Sequence, residues 1–199
     1  HRDWEEESCA IVLRMSPSWI RVGTFEFFAR SRDKETISQL ADYVIKQSYP
    51  HLENEENKYE KMFYSLSDNT AKLLAKWQVY GFQHGVMNTD NFSVAGLTID
   101  YGPYAFMDYF EKNAICNHTD AEGRYSYNNQ PYVARWNLLV LANALGEICD
   151  ENRLKEYIKT FLPQHEKIYL DLMNKRLGLD ASKSGNSNLL LTPLKLANP

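Results

Sequence analysis

Nineteen consecutive residues, His84 to Gly102, constrain this chain more than any other part of it. They open His84-Gly85-Val86-Met87-Asn88-Thr89-Asp90-Asn91 and close on Ile99-Asp100-Tyr101-Gly102, with an apolar, glycine-containing run between. An adjacent Asp-Asn pair is thus followed nine residues later by a second Asp that ends an apolar segment. Taken alone, His-Gly is a turn and Asp90-Asn91 a helix cap or Asx-turn. The second carboxylate at this spacing adds a requirement that a turn does not have, because two oxygen donors on linked loops can meet at one cation.

The spacing is that of a kinase-type ATP and metal site. There a loop of the form H-R-D-x-x-x-x-N and a following D-F-G bring an Asn and an Asp to the metal ions on the nucleotide phosphates. His84 and Asn91 keep the separation of seven, and Asp100 takes the place of the second metal ligand. The general base is missing, since its position holds Val86, which cannot accept a proton. Small-molecule kinases with an H-G-D-x-x-x-x-N loop share His84-Gly85 but also need an Asp where Val86 stands. Asp90 is the nearby substitute, so the metal half is retained and the transfer half is rebuilt around a shifted carboxylate.

The block from His84 to Asn91 and from Gly96 to Pro103 resembles the signature of the selenoprotein O family. The likeness continues in Ile115 to Asp120, Gly123 to Tyr127, Asn129-Gln130-Pro131 and Trp136-Asn137-Leu138, and reaches back to Val12 to Ser18 and Gly23 to Glu26. It covers most of residues 9 to 147. The resemblance implies a pseudokinase-like fold and transfer of AMP from ATP to Ser, Thr or Tyr hydroxyls of proteins, the nucleotide being inverted relative to ordinary kinases. It implies Asn91 and Asp100 as ligands of Mg²⁺, with Mn²⁺ as the alternative ion, and Asp90 as the base or acceptor-orienting group. Arg14 and Arg21 match two arginines that contact ATP phosphates, a task suited to planar, bidentate guanidinium groups. It further implies an N-terminal lobe with a Lys and a Glu on the nucleotide, and often a redox-active Cys or selenocysteine near the C-terminus. Lys34, Lys46 and Lys58 occupy no matching motif, so the chain reads as a fragment that is inactive alone.

The 199 residues, 44% hydrophobic and 13% aromatic, suffice for one domain with a sizeable core. A net charge of -4 argues against a nucleic-acid surface. Cys9, Cys116 and Cys149 form neither a disulfide framework nor a zinc motif, which fits a reducing compartment. The sequons at Asn91 and Asn117 have no meaning as glycan sites there. No run approaches a membrane span, and His1 to Glu7 does not resemble a signal peptide. The expectation is a cytoplasmic protein if bacterial, or a mitochondrial one if eukaryotic. His1-Arg2-Asp3 imitates a kinase triplet without the Asn or the D-F-G that should follow.

Along the chain, Cys9 to Met15 reads as a strand whose partners lie elsewhere. Phe25, Phe27 and Phe28 are expected in the core. Asp33 caps a helix over 34–48 that Pro50 stops. A second helix over 56–80 carries Tyr59, Met62, Phe63, Leu66, Thr70, Leu73, Leu74 and Trp77 on one face and ends at Gly81, which fixes where the 84–91 loop emerges. Residues 94–99 suggest a small hairpin, and 113–130 a long ordered loop. Pro131 opens a buried central helix to Leu145, followed by helices over 151–161 and 164–176 separated by Pro163. The fold class is mainly α with a small β part, a protein-kinase-like C-terminal lobe preceded by the last strand of the N-terminal lobe. Residues 1–30 would be the end of the N-terminal lobe, 31–180 the helical lobe, and 181–199 a polar tail. The competing readings are a nucleotide-binding or nucleotide-free pseudokinase scaffold, the ligand-free form of which has no need for converging metal ligands, and a small-molecule phosphotransferase, which Val86 disfavours.

Overall fold

The computed structural model describes residue 11 and residues 13–179. Expectations for residues 1–10 and for the 181–199 tail lie outside the described residues. Among the described residues the regular structure comprises three short 3-10 turns (Pro50–Leu52, Thr89–Asn91 and Tyr127–Asn129), one short sheet and six α-helices: α1 (Val22–Arg30), α2 (Lys34–Ser48), α3 (Lys58–Tyr80), α4 (Gln130–Leu145), α5 (Glu151–Ile158) and α6 (Phe161–Leu177). The sheet pairs β1 (Phe82–Gln83) with β2 (Ala105–Phe106). The mainly helical, slightly β character matches the expectation from sequence.

The longest helix, α3, forms as its spacing predicts. Met62, Phe63, Leu66, Thr70, Leu74 and Trp77 recur on one face and are all buried. Gly81 ends it at φ 71°, the left-handed C-terminal position that glycine takes without a Cβ penalty, and its N–H returns to Gln78 O at 3.2 Å. α6 packs along α3, while α4 contacts α1, α3, α5 and α6 and so occupies the middle of the bundle. One continuous core runs through Phe25, Ile37, Phe63, Leu66, Leu138 and Phe161. Each such side chain contributes about 1.5–3 kcal/mol by leaving water. Asp33 caps α2 by accepting from Thr36 N at 3.0 Å.

Several local readings are corrected. Residues 22–30 form α1, so Phe25 is fully buried while Phe27, on the opposite side of the helix, is 68% exposed. The 94–99 run forms no hairpin. Its polar groups reach distant partners instead: Val94 O accepts from Tyr49 Oη at 3.0 Å, and Val94 N donates to Ile20 O at 3.2 Å. Residues 11 and 13–15, the described part of the expected first strand, carry no strand structure. Pro163 lies inside the first turn of α6, where no backbone N–H is required, and does not precede the helix. Trp136 faces outward from α4. No helix among the described residues is long and apolar enough to cross a membrane.

The small sheet matters for position rather than stability. Phe82 pairs with Phe106 and Gln83 with Ala105, antiparallel. The stretch from His84 to Tyr104 is therefore a loop closed at its base.

Candidate active site

Main-chain atoms of this loop are gripped by side-chain amides. Gln130, fully buried, accepts from His84 N through Oε1 and donates to Phe82 O through Nε2, both at 3.0 Å. Asn137 donates to Met87 O at 2.8 Å, and Asn117 to Gly85 O at 3.1 Å. Gln130 and Asn137 lie two turns apart on α4 and so share a face. Gly85 adopts φ 83°, and a Cβ there would lie 2.8 Å from Cys116 Sγ, so the turn requires glycine.

His84 is a clamp rather than a proton carrier. Its Nε2 meets Ile99 O at 2.7 Å, and since a carbonyl only accepts, Nε2 bears the hydrogen. Nδ1 then accepts from Val86 N at 3.4 Å. Burial pushes the imidazole pKa down, with the Ile99 contact opposing, which keeps the ring neutral at physiological pH. The ring thereby ties the start of the loop to the carbonyl just before Asp100. Asp100 itself sits at φ 52°, a left-handed conformation that few residues other than Gly, Asn and Asp tolerate.

Arg21 and Asp100 come together directly. Arg21 Nε donates to Asp100 Oδ2 at 2.9 Å and Nη2 donates to Oδ1 at 3.0 Å, a bidentate fork across 79 residues of sequence. Arg14 lies beside the next residue, its guanidinium 4.1 Å from the centroid of the Tyr101 ring. The two arginines therefore reach adjacent residues of the same loop. Asn91 donates Nδ2 to Val86 O at 3.1 Å, which turns its Oδ1 away from that carbonyl. Asp90 is exposed and lies against the first turn of α1, where a Cβ on Gly23 would be 2.1 Å from Asp90 Oδ1. The strip after the Asp-Asn pair is tied to the start of α1, with Val22 N donating to Phe92 O at 2.8 Å and Arg21 bridging Ser93.

Several supporting residues stand out in the sequence only as pieces of motif. Gly23 gives Asp90 its room. Glu26 accepts from Thr89 Oγ1 at 2.7 Å, and this bond, reinforced by Arg30, holds its carboxyl below the usual range against the effect of burial. Gln130 and Asn137 are polar residues on a helix that is otherwise apolar over most of its surface, a signal that such side chains hold something specific.

The donor set suits a hard cation. Among the described residues no three of His, Cys, Asp and Glu cluster as a metal site. An ion held by the Asp100 carboxylate and Asn91 Oδ1 would complete its shell from phosphate and water, as Mg²⁺ commonly does. Beside Asp100 opens a cavity of about 1140 Å³ lined by Arg14, Trp19, Trp77, Tyr101, Tyr104 and Phe106 among others. Aromatic walls with one guanidinium suit a ligand with a flat apolar part and an anionic part.

A family model described as protein adenylyltransferase SelO matches residues 2–197. The protein nucleotidyltransferase YdiU of Ectopseudomonas mendocina is 45% identical over 195 residues, covering 97% of this chain and 40% of that protein. That of Pseudomonas putida strain F1 is 46% identical over 189 residues, covering 94% and 39%. That of Pseudomonas aeruginosa PAO1 is 45% identical over 189 residues with the same coverage. The chain spans about two fifths of the length of the curated relatives it matches.

Proposed function

The chain belongs to the SelO protein adenylyltransferase family, and from that premise we propose that the full-length protein transfers AMP from ATP to hydroxyl groups of other proteins. Residues 31–180 would form the kinase-like helical lobe, with residues 1–30 ending the lobe before it and 181–199 a polar tail.

In this reading the acceptor hydroxyl oxygen attacks the α-phosphorus, the bond from that phosphorus to the β-bridging oxygen breaks, and pyrophosphate leaves. Asp90 takes or orients the hydroxyl proton. Its exposure suits contact with an incoming protein chain, and Gly23 lets the carboxylate lie against α1. Arg14 and Arg21 hold phosphate oxygens. Asn91 and Asp100 would hold Mg²⁺ or Mn²⁺, whose positive charge would offset the negative charge of the phosphates. His84, Gln130, Asn137 and Glu26 fix the two loops in register.

The observation that carries the reading is the state of residue 86. Each hydrogen bond found at Val86 uses its backbone, the N–H toward His84 and the carbonyl toward Asn91. The carboxylate of this loop is instead Asp90, on the α1 side. The test uses full-length protein and ATP labelled separately at the α- and γ-phosphate. Label from the α-position should reach protein, and label from the γ-position should not. Comparable transfer from the γ-position would replace the adenylyltransferase reading with a kinase one.

A further inference from the structure

Asp100 is the residue that would bind the metal, yet both of its carboxylate oxygens are engaged by Arg21. Arg21 would in turn bind phosphate, yet its fork is spent on Asp100. Each therefore occupies the atoms with which the other would hold its ligand. Arg14 differs: it rests on the face of Tyr101 and makes no claim on the carboxylate.

We propose that Arg21 gates the metal site, as a positioning residue that holds Asp100 until a divalent cation displaces it and frees the guanidinium for phosphate. The inference rests on the assignment of Asp100 as metal ligand made above and adds to it a coupling between the two binding events.

Three observations support exchange rather than a permanent structural pair. The two side chains are 37% and 30% exposed, so water and salt screen the pair and an incoming ion can compete for it. The backbone of Arg21 is tied to Ser93, and Val22 N to Phe92 O. The arginine stem thus stays beside the Asn91 segment when its head lets go. Asp100 is held from behind by the His84 bond to Ile99 O, so the carboxylate keeps its place while its partner changes. A guanidinium and a divalent cation draw on the same carboxylate lone pairs. Whatever removes one from Asp100 favours the other, and phosphate, by drawing Arg21 away, must favour metal by the same factor.

The test measures binding without catalysis, on full-length protein, with Mn²⁺ alone as the probe. Arg21→Gln should bind Mn²⁺ roughly 5-fold more tightly than wild type, within the range expected for releasing one partly exposed ion pair. Arg21→Lys keeps the charge but lacks the planar fork, so it should fall between the two. Arg21→Gln binding Mn²⁺ no more tightly than wild type would overturn the proposal, and so would Arg21→Lys matching wild type, since plain charge repulsion would then suffice. A second measurement needs no substitution: the Arg21 Nε–H resonance of wild-type protein should move when Mg²⁺ is added without nucleotide, and an unmoved resonance at saturation also overturns the proposal. Asp100→Asn separates this failure from that of the underlying assignment, because unchanged Mn²⁺ binding in that variant means that the metal is not at Asp100 at all.

Discussion

Gly23 and Asp90 are packed so closely that a single added carbon on Gly23 would stand 2.1 Å from Asp90 Oδ1 and 3.2 Å from the Asp90 backbone nitrogen. The carboxylate can swing aside and the backbone need give only slightly. Gly23→Ala should therefore leave melting temperature within a few degrees of wild type while displacing Asp90 by about an ångström. A misplacement of that size at a reacting group costs on the order of 10²-fold in turnover. Steady-state kinetics of the full-length variant checks this, with nucleotide affinity expected near the wild-type value.

Asp90 and Asn91 are neighbours that should separate kinetically. Asp90→Ala should leave ATP affinity intact and lower turnover by roughly 10²- to 10⁴-fold, as for loss of a positioned acid-base group. Asn91→Ala should weaken ATP binding and recover in part at raised Mg²⁺ or Mn²⁺. If Asp90 only caps its loop, its removal costs about 1 kcal/mol of stability and little activity, so turnover and melting temperature measured together tell the roles apart.

Gln130→Leu should destabilise the protein through main-chain atoms far away in sequence. It leaves His84 N and Phe82 O buried without their partner. Each such orphaned group costs about 1–3 kcal/mol. Chemical denaturation should show a loss of several kcal/mol, larger than that for the exposed Tyr132 on the same helix.

Acid should weaken the fold through His165. Burial holds its imidazole pKa down at about 4, against 6.5 when unfolded, with a contact to the Leu74 backbone acting the other way. Between those values the unfolded chain binds a proton that the folded one does not, so stability declines as pH falls from 6.5 to 4. The contribution is on the order of 3 kcal/mol. His165→Leu should flatten this part of the stability curve, leaving the smaller slope of the same sign from His84.

The helical scaffold was legible wherever local signals agreed with burial. α3 could be read from its apolar face and Gly81, and α2 from Asp33 and Pro50. α1 was not, because its N-cap residue Arg21 makes no side-chain cap and its sequence is aromatic with an early glycine. Its helical state is set by packing on α4. The apolar 94–99 run misled for a related reason, since a short apolar stretch with a glycine says nothing about whether a backbone finds its partner in a neighbouring strand or in Tyr49 and Ile20. Spacing placed Asp90, Asn91 and Asp100 on linked loops, but it could not reveal that Arg21 reaches Asp100 across 79 residues. Pairings at that distance depend on how the helices stack, which no local pattern encodes.

The grip of α4 on the loop is blind to side-chain identity. Gln130 and Asn137 read only the N–H of residue 84 and the carbonyls of residues 82 and 87, and the bonds at residue 86 are likewise main-chain. Those handles are common to nearly every amino acid, so residue 86 can exchange a carboxylate for an isopropyl group without the loop losing its course. Shape is thereby separated from reactivity, and a frame of this kind lets chemistry drift from one residue to another while its architecture stays the same.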